Sequence, residues 1–140
     1  MTQHDLTQFT TFVLRVALGI MYLAHGVILK FFIFGLAGTA AFFESIGLPG
    51  WMAYAVFAAE LIGGLMLVLG IQARWVALVL LPVLFGATWL HAGNGWVFSY
   101  PNGGWEYPVY LILLSFVQFA LGDGRYALKR SSSVSFISAE

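Results

Sequence analysis

The sequence predicts an all-α integral membrane protein, a polytopic four-helix bundle. Of its 140 residues, 61% are hydrophobic and only 9% are charged. The mean hydropathy of +0.90 is too apolar for an ordinary soluble domain of this length. The apolar residues fall into four segments, each about long enough to cross a hydrocarbon core of roughly 30 Å. Composition and segment length together therefore predict the class.

The four apolar segments are separated by turn-forming residues, and we expect one domain from residue 1 to residue 126. Pro82 is expected to kink the third helix, because proline removes a backbone donor. We interpret residues 127–140 as a flexible cytoplasmic tail. The predicted helices cover residues 9–34, 51–70, 75–92 and 106–121.

The distribution of cations predicts the orientation. Lys30 lies near the outer end of the first helix, whereas the cations between the second and third helices and after the fourth fall on the opposite side of the bundle. Because cytoplasmic loops carry an excess of lysine and arginine, we predict that both termini are cytoplasmic, an N-in, C-in topology. The cations on that side are Arg74, Arg125, Lys129 and Arg130.

Composition also limits the partners and the chemistry. The formal net charge is zero and there is no long basic run, so the sequence does not indicate a nucleic-acid-binding protein. Its expected partners are membrane lipids and other hydrophobic or membrane-bound molecules. Cysteine is absent, which excludes disulfides, thiol catalysis and cysteine-ligated iron–sulfur clusters. Any redox chemistry must therefore be borrowed from a cofactor or partner.

Two charged residues, Arg15 and Glu60, lie inside apolar segments. A charge in hydrocarbon costs several kcal/mol even on mild scales, usually faces the bundle interior, and is a functional candidate. We predict that these two side chains pair with each other. Helical periodicity places small and polar residues on the same faces, namely Gly19, Tyr22 and Gly26 with Arg15, and Gly63 and Gly64 with Glu60.

The predicted pair has two interpretations. It fixes the helix register without chemistry, or it lines a polar cavity that handles a proton or binds the head group of a lipid-soluble ligand. A quinone carbonyl would need donors such as Arg15, Tyr22 or His25. We therefore group Arg15, Tyr22, His25, Glu60 and His91 as the candidate ligand-binding or buried polar cluster.

His25 and His91 could share a level near the outer surface and hold a haem between them. We favour the simpler interpretation that each is a hydrogen-bonded residue, because no second histidine pair is present. Metal-binding spacings such as HxxH are absent, so we predict no metal site and no covalent cofactor. Four further polar residues are expected at the outer face, namely Lys30, Glu44, Asn94 and Glu106. We interpret Lys30 as a snorkelling residue.

The order of motifs resembles the DoxX family of small membrane proteins. The resemblance rests on Arg15 with the Gly19–Tyr22 segment, on the His25-Gly26-x-x-x-Lys30 motif, and on the Glu60-Leu-Ile-Gly-Gly motif. Three further motifs also match, and the resemblance covers roughly residues 14–126. These are Phe43-Glu44-x-x-Gly47-Leu48-Pro49, His91-x-x-Asn94-Gly95-Trp96 and Gly103-Gly104-Trp105-Glu106-Tyr107-Pro108.

The resemblance implies a multi-pass protein of the bacterial inner membrane. The family is similar to small subunits of thiosulfate:quinone oxidoreductases, and it implies a place in membrane-associated oxidoreductase complexes. Our first hypothesis is therefore an inner-membrane subunit of an oxidoreductase system that binds quinone or anchors a redox enzyme. Catalytic residues are not assigned, and any enzymatic activity would belong to the complex.

Two alternatives belong to other classes. The first is a permeation module for protons or small solutes, in which a homo-oligomer formed through the Gly63–Gly64 face would supply the missing wall. The second is a structural assembly factor without a ligand, for which Glu60→Gln would impair folding and function together. Thermal stability of that variant separates pairing from chemistry.

Overall fold

The computed structural model describes residues 1–134, whose regular structure is helical apart from a single bridge between Ile71 and Lys129. The all-helical prediction is confirmed. Helix α1 continues directly into a π-helical segment, and a short 3-10 turn follows α5. The elements are α1 (Gln3–Leu23), the π segment (Ala24–Ile33), α2 (Leu36–Ser45), α3 (Trp51–Leu69), α4 (Ala73–Val79), α5 (Leu81–His91), the 3-10 turn (Ala92–Asn94) and α6 (Glu106–Leu121).

Three helical stretches are long and apolar enough to cross a membrane, namely Gln3–Ile33, Trp51–Leu69 and Ala73–Asn94. A fourth apolar helix, α6, has the predicted bounds but is shorter, at 16 residues. At 1.5 Å per residue, α6 rises about 24 Å. Candidate membrane-spanning helices are therefore confirmed, while the count of four spans and the N-in, C-in orientation stay predictions.

The helix boundaries differ from the predicted ones in three places. Helix α1 begins six residues earlier than predicted, because Thr2 and Asp5 form a capping box that starts it. The predicted outer connection before α3 contains α2. The predicted third helix is interrupted at Leu80, two residues before Pro82, which cannot donate a backbone hydrogen bond to continue the helix.

Glycines set the distance between α1 and α3. A Cβ atom built on Gly19 would lie 2.8 Å from the Gly64 carbonyl oxygen, and one on Gly64 would lie 3.0 Å from the Gly19 carbonyl oxygen. On the other side of α3, Gly63 contacts the side chain of Leu80, the residue between α4 and α5. Both glycines of the predicted oligomerisation face are thus covered within the chain, and the homo-oligomer stays a prediction.

The segment after α6 crosses the end of the bundle at which α1 begins. Arg125 donates its backbone N–H to the Gln8 carbonyl (2.9 Å), and Lys129 donates to the Gly70 carbonyl (3.0 Å). Ser131 donates through its backbone N–H to the Asp123 carboxylate (2.6 Å). The first residues of the predicted tail are therefore bound to the bundle, and residues 135–140 lie outside the described part of the chain.

We predict that Gly19→Ala destabilises the protein by about 1–3 kcal/mol, since its Cβ meets backbone atoms that cannot move aside. The matched control is Gly86→Ala in α5, where a Cβ meets nothing within 4 Å. Alanine favours a helix over glycine, so the control should be neutral or slightly stabilising. Thermal unfolding in mild detergent measures both variants, and equal midpoints would contradict the packing account.

Candidate functional site

The central feature of the bundle interior is an ion pair between Lys30 and Glu60. The Lys30 ammonium lies 2.8 Å from each of the two carboxylate oxygens of Glu60. The Glu60 side chain is 5% exposed and the Lys30 side chain 18% exposed, so the carboxylate is enclosed while the ammonium keeps an open side. The prediction that Glu60 faces protein instead of lipid is confirmed.

Lys30 lies on the same stripe of the first long helix as Tyr22 and Gly26. Side chains four residues apart share a face of an α-helix, and the wider turns of the π segment (Ala24–Ile33) also keep such residues close together. Lys30 therefore follows Gly26 and reaches Glu60. The prediction of a snorkelling Lys30 at the outer face was wrong because it treated Lys30 as an interfacial residue at the end of the helix.

Gly26 brings Glu60 up to this stripe. A Cβ on Gly26 would lie 3.1 Å from the Glu60 Cβ and 3.3 Å from its Oε2. A larger side chain there would push α3 away from the π segment and separate the pair. The His25-Gly26-x-x-x-Lys30 spacing thus supplies the close approach and the cation together.

Two more members of the predicted cluster lie near the pair. His25 and Tyr22 are both within electrostatic range of Glu60. His25 Nδ1 lies 3.0 Å from the Met21 carbonyl oxygen, which can only accept, so Nδ1 donates and Nε2 is left for a further hydrogen bond. The ring stacks against Tyr107 with centroids 6.3 Å apart. Tyr22 is 1% exposed, and its hydroxyl lies beside Ser115 without an aligned hydrogen bond.

Arg15 does not pair with Glu60, and the predicted partnership is wrong. Its guanidinium donates to the carbonyls of Leu67 (3.0 Å), Val68 (3.2 Å) and Arg125 (3.0 Å). The first two are carbonyls of the last turn of α3, the end of the helix that carries partial negative charge. The Leu67 carbonyl also accepts from the Gly70 N–H (3.2 Å). Arg15 is fully buried at this end of the bundle. Glu60 instead pairs with Lys30, which reaches it from the other direction.

The Arg15 site depends on a residue that sequence reasoning did not single out. Gly70 follows α3 in a left-handed conformation (φ +71°), and a Cβ there would collide with the Arg15 guanidinium. Asp123 was also missed. It is 7% exposed and accepts from the Arg74 backbone N–H and from Ser131. An acidic residue directly after an apolar helix, between two glycines, was the available signal.

The outer polar residues form a separate hydrogen-bonded group. Asn94 donates to the carbonyls of Asn102 (3.1 Å) and Gly103 (2.9 Å), and His91 Nδ1 lies 3.1 Å from the Asn102 carbonyl. Glu106 lies at the start of α6, and its carboxylate accepts weakly from the Phe98 N–H (3.4 Å). Each of these contacts organises the loop before α6, so His91 belongs to this loop and not to the buried pair.

Glu44 is exposed near the end of α2 and packs against Gly50 at the start of α3. It is separate from the buried pair. Within residues 1–134, no group of three or more histidine, aspartate or glutamate side chains is arranged to hold a metal ion. The chemistry available at the buried pair is therefore that of an ammonium, a carboxylate, a neutral imidazole and a phenol.

Comparison with known proteins places these residues in a family. The family model DoxX matches residues 10–93, well over half of the chain. The chain belongs to the DoxX family. It is 40% identical over 116 residues to a Bacillus subtilis (strain 168) protein named "Putative oxidoreductase CatD", with 83% of this chain and 81% of that protein covered. No solved structure matches the chain.

The part of this DoxX protein that matches the family model contains the whole buried site. Arg15, Tyr22, His25, Lys30 and Glu60 all lie within residues 10–93. Glu44 and His91 also lie inside that range, whereas Asn94 and Glu106 lie beyond it. Resemblance to the family, stated on the sequence alone, is confirmed.

We predict that Lys30→Met costs about 3–5 kcal/mol of stability, because it leaves the Glu60 carboxylate buried without a partner. The double variant Lys30→Met/Glu60→Leu should cost much less than the two single changes added together, since both charges are removed. The control is the exposed pair Arg125–Asp5, 3.9 Å apart, where Arg125→Gln should cost less than about 1 kcal/mol. A double-mutant cycle in detergent with additive effects would contradict the ion pair.

Gly70→Ala should destabilise the DoxX protein more than Gly47→Ala does. Both glycines follow a helix with positive φ (+71° and +83°), and in both places the next N–H closes the helix end onto the carbonyl five residues back, so alanine brings a similar backbone strain of about 1–2 kcal/mol to each. Only at Gly70 does the new Cβ displace Arg15, because a Cβ at Gly47 meets nothing within 4 Å. The difference between the two unfolding midpoints measures the Arg15 site, and no difference would show that its carbonyl contacts contribute nothing.

Proposed function

We propose that this DoxX protein is a membrane subunit of an oxidoreductase system and that the Lys30–Glu60 site binds the head group of a quinone. The observation that carries the proposal is the buried, half-open ion pair with two unused hydrogen-bonding groups beside it. In a purely structural pair, we would expect every hydrogen-bonding group around the two charges to be bound within the protein. Membership of the family and the name of the Bacillus subtilis relative add support for a redox role.

The residues present fit a quinone head group. Its carbonyl oxygens accept hydrogen bonds, and the hydroxyls of its reduced form donate them. Lys30 has three N–H donors and an exposed side, so it can donate to a carbonyl while it holds Glu60. His25 Nε2 and the Glu60 carboxylate can accept from hydroxyls. The site therefore offers donors and acceptors for both forms.

The same residues can move protons. Quinone reduction takes up two electrons and two protons, and the reverse reaction releases them. Glu60 can hold one proton when it no longer balances the charge of Lys30, and Nε2 of His25 is a second group that can carry a proton. In this proposal the electrons come from a redox enzyme that the subunit anchors. The chain's own contribution is binding, orientation and proton transfer.

The inner membrane of a bacterium is the proposed location. Quinones are dissolved in the hydrocarbon phase, and the position of Glu60 within a candidate span supports a site at that depth. Glu60 lies nine residues from each end of α3, or about 13 Å from each by helical rise. A head group would therefore reach the site from within the bilayer.

The proposal predicts that protein purified in mild detergent carries quinone, detected in an organic extract by absorbance and mass spectrometry. After removal of that quinone, a short-chain benzoquinone should bind at least tenfold more weakly to Glu60→Gln than to the parent protein. His25→Phe is the second variant, because it keeps the stacking with Tyr107 but loses the Nε2 acceptor. Glu44→Gln is the control, since it changes an exposed carboxylate away from the site.

Three results would overturn this function. The first is a parent protein that neither carries quinone nor binds the benzoquinone and copurifies with no redox enzyme. The second is equal binding by parent, Glu60→Gln and His25→Phe. The third is proton flux into proteoliposomes that is lost in Glu60→Gln without any quinone effect, which would move the permeation alternative to the front. A large loss of thermal stability in Glu60→Gln with no ligand at all would favour the structural alternative.

A further inference from the structure

Buried polar atoms without a partner are concentrated on one side of the bundle. Among residues 1–134, six such side-chain atoms occur, and four of them belong to α1 and α6. A fifth is the Glu60 Oε2, which contacts Lys30 as an ion pair. Chance placement would scatter these atoms over all helices. The four are Gln8 Oε1, Arg15 Nε, Tyr22 Oη and Gln118 Oε1.

On α1 these residues share one face. Gln8, Thr11, Arg15 and Tyr22 are separated by three, four and seven residues, which is the spacing of a single helical stripe. Thr11, Arg15 and Tyr22 are at most 1% exposed. The stripe runs from the end of the bundle where the chain begins up to the level of Glu60. Leu18 interrupts the stripe between Arg15 and Tyr22.

Helix α6 contributes polar side chains at the level where Leu18 interrupts the stripe on α1. The Tyr22 hydroxyl faces Ser115, which is fully buried and donates its own proton to the Leu111 carbonyl. Gln118, one turn further along α6, is also fully buried. The rise from Ser115 to Gln118 is about 4.5 Å, a distance that one water molecule spans with two hydrogen bonds. Polar groups from α1 and α6 thus form one continuous row.

The unused atoms are chemically complementary to water. Arg15 Nε can only donate, Gln8 Oε1 and Gln118 Oε1 can only accept, and the Tyr22 hydroxyl does both. An unpaired polar group in hydrocarbon costs several kcal/mol, and buried water with two to four polar partners is the usual way to satisfy such groups. A water molecule between Arg15 and either glutamine would satisfy one donor and one acceptor at once.

We propose that the α1–α6 column, defined as Gln8, Thr11, Arg15, Tyr22, Ser115 and Gln118, holds a chain of buried water molecules. This chain connects the aqueous face beside the chain termini with Glu60, and it lets the Lys30–Glu60 pair exchange protons with that face. The inference deepens the proposed function, on which its role in quinone chemistry rests. The hydration itself can be measured without any quinone.

The guanidinium of Arg15 sets the character of this path. A fixed positive charge beside a water chain raises the energy of a passing hydronium, as in pores that admit water and exclude protons. Three carbonyls and the nearby Asp123 carboxylate offset part of that charge. We therefore expect slow proton exchange with Glu60 and no open proton leak across the membrane.

The first experiment tests hydration. Solid-state NMR with polarisation transfer from water to protein, on the full chain in lipid bilayers, should show transfer to the Arg15 Nε–H and the Gln118 side-chain amide. The Leu80 backbone amide is the dry control, because Leu80 is 2% exposed, contributes to the apolar core and packs against Gly63. Transfer to Arg15 and Gln118 no stronger than to Leu80 would overturn the water column.

The second experiment tests proton access and uses a feature of this sequence. The chain has two lysines, Lys30 in the site and Lys129 after α6. Labelling lysine with ¹⁵N therefore gives one signal from the site and one internal reference. Exchange of the Lys30 ammonium with deuterated water should slow at least tenfold in Tyr22→Phe/Ser115→Ala, while the exposed Lys129 is unchanged.

Tyr110→Phe is the matched control, because it removes a hydroxyl from α6 that is 59% exposed and outside the column. It should leave Lys30 exchange unchanged. Unchanged exchange in the column variant would mean that protons reach Lys30 through its own exposed side, and the inference would fail. If the column variant does not fold, Gln118→Leu supplies the same test. Loss of quinone binding with the NMR results intact would remove the proposed function and leave the water column standing.

Discussion

The requirement to satisfy charges within hydrocarbon determines how the helices of this protein meet. Lys30 and Glu60 can form a 2.8 Å ion pair because Lys30 lies one turn beyond Gly26 on the same side of the helix and Gly26 admits Glu60. The pair therefore fixes the rotation of the first long helix and its distance from α3. Gly19 and Gly64 continue the same close approach further along the two helices. Helix packing and the candidate site are parts of one arrangement.

At the opposite end of the same two helices, Arg15 donates hydrogen bonds to backbone carbonyls at the end of α3. Its guanidinium binds two carbonyls of the last turn and one from the segment after α6. Free carbonyls at a helix end are costly away from water, and the cation also interacts favourably with the negative end of the helix. Gly70 leaves space for this contact. A charge that the sequence analysis grouped with the candidate ligand-binding cluster thus contributes to the fold.

Arg15 and Lys30 consequently differ in how available they are to bind a ligand. Arg15 is fully buried, its terminal nitrogens already donate to carbonyls, and its guanidinium stays protonated in proteins. Lys30 keeps an open side and shares its environment with an acceptor on His25 and a hydroxyl on Tyr22. Groups that remain available for new hydrogen bonds are the ones that can bind a ligand. This contrast is the reason to place the candidate site at Lys30–Glu60.

The sequence by itself determined the membrane class, the apolar helices, the inward faces of Arg15 and Glu60, and the family. These features follow from composition and helical periodicity, which are local properties of the chain. The tertiary structure decided which cation pairs with Glu60. That choice depends on the close approach of Glu60 to Gly26 and on the left-handed turn at Gly70 beside Arg15, which appear only when the helices are packed together. In the sequence Lys30 stands at the outer end of a predicted span, where a lysine commonly snorkels, so Arg15 was the expected partner of Glu60.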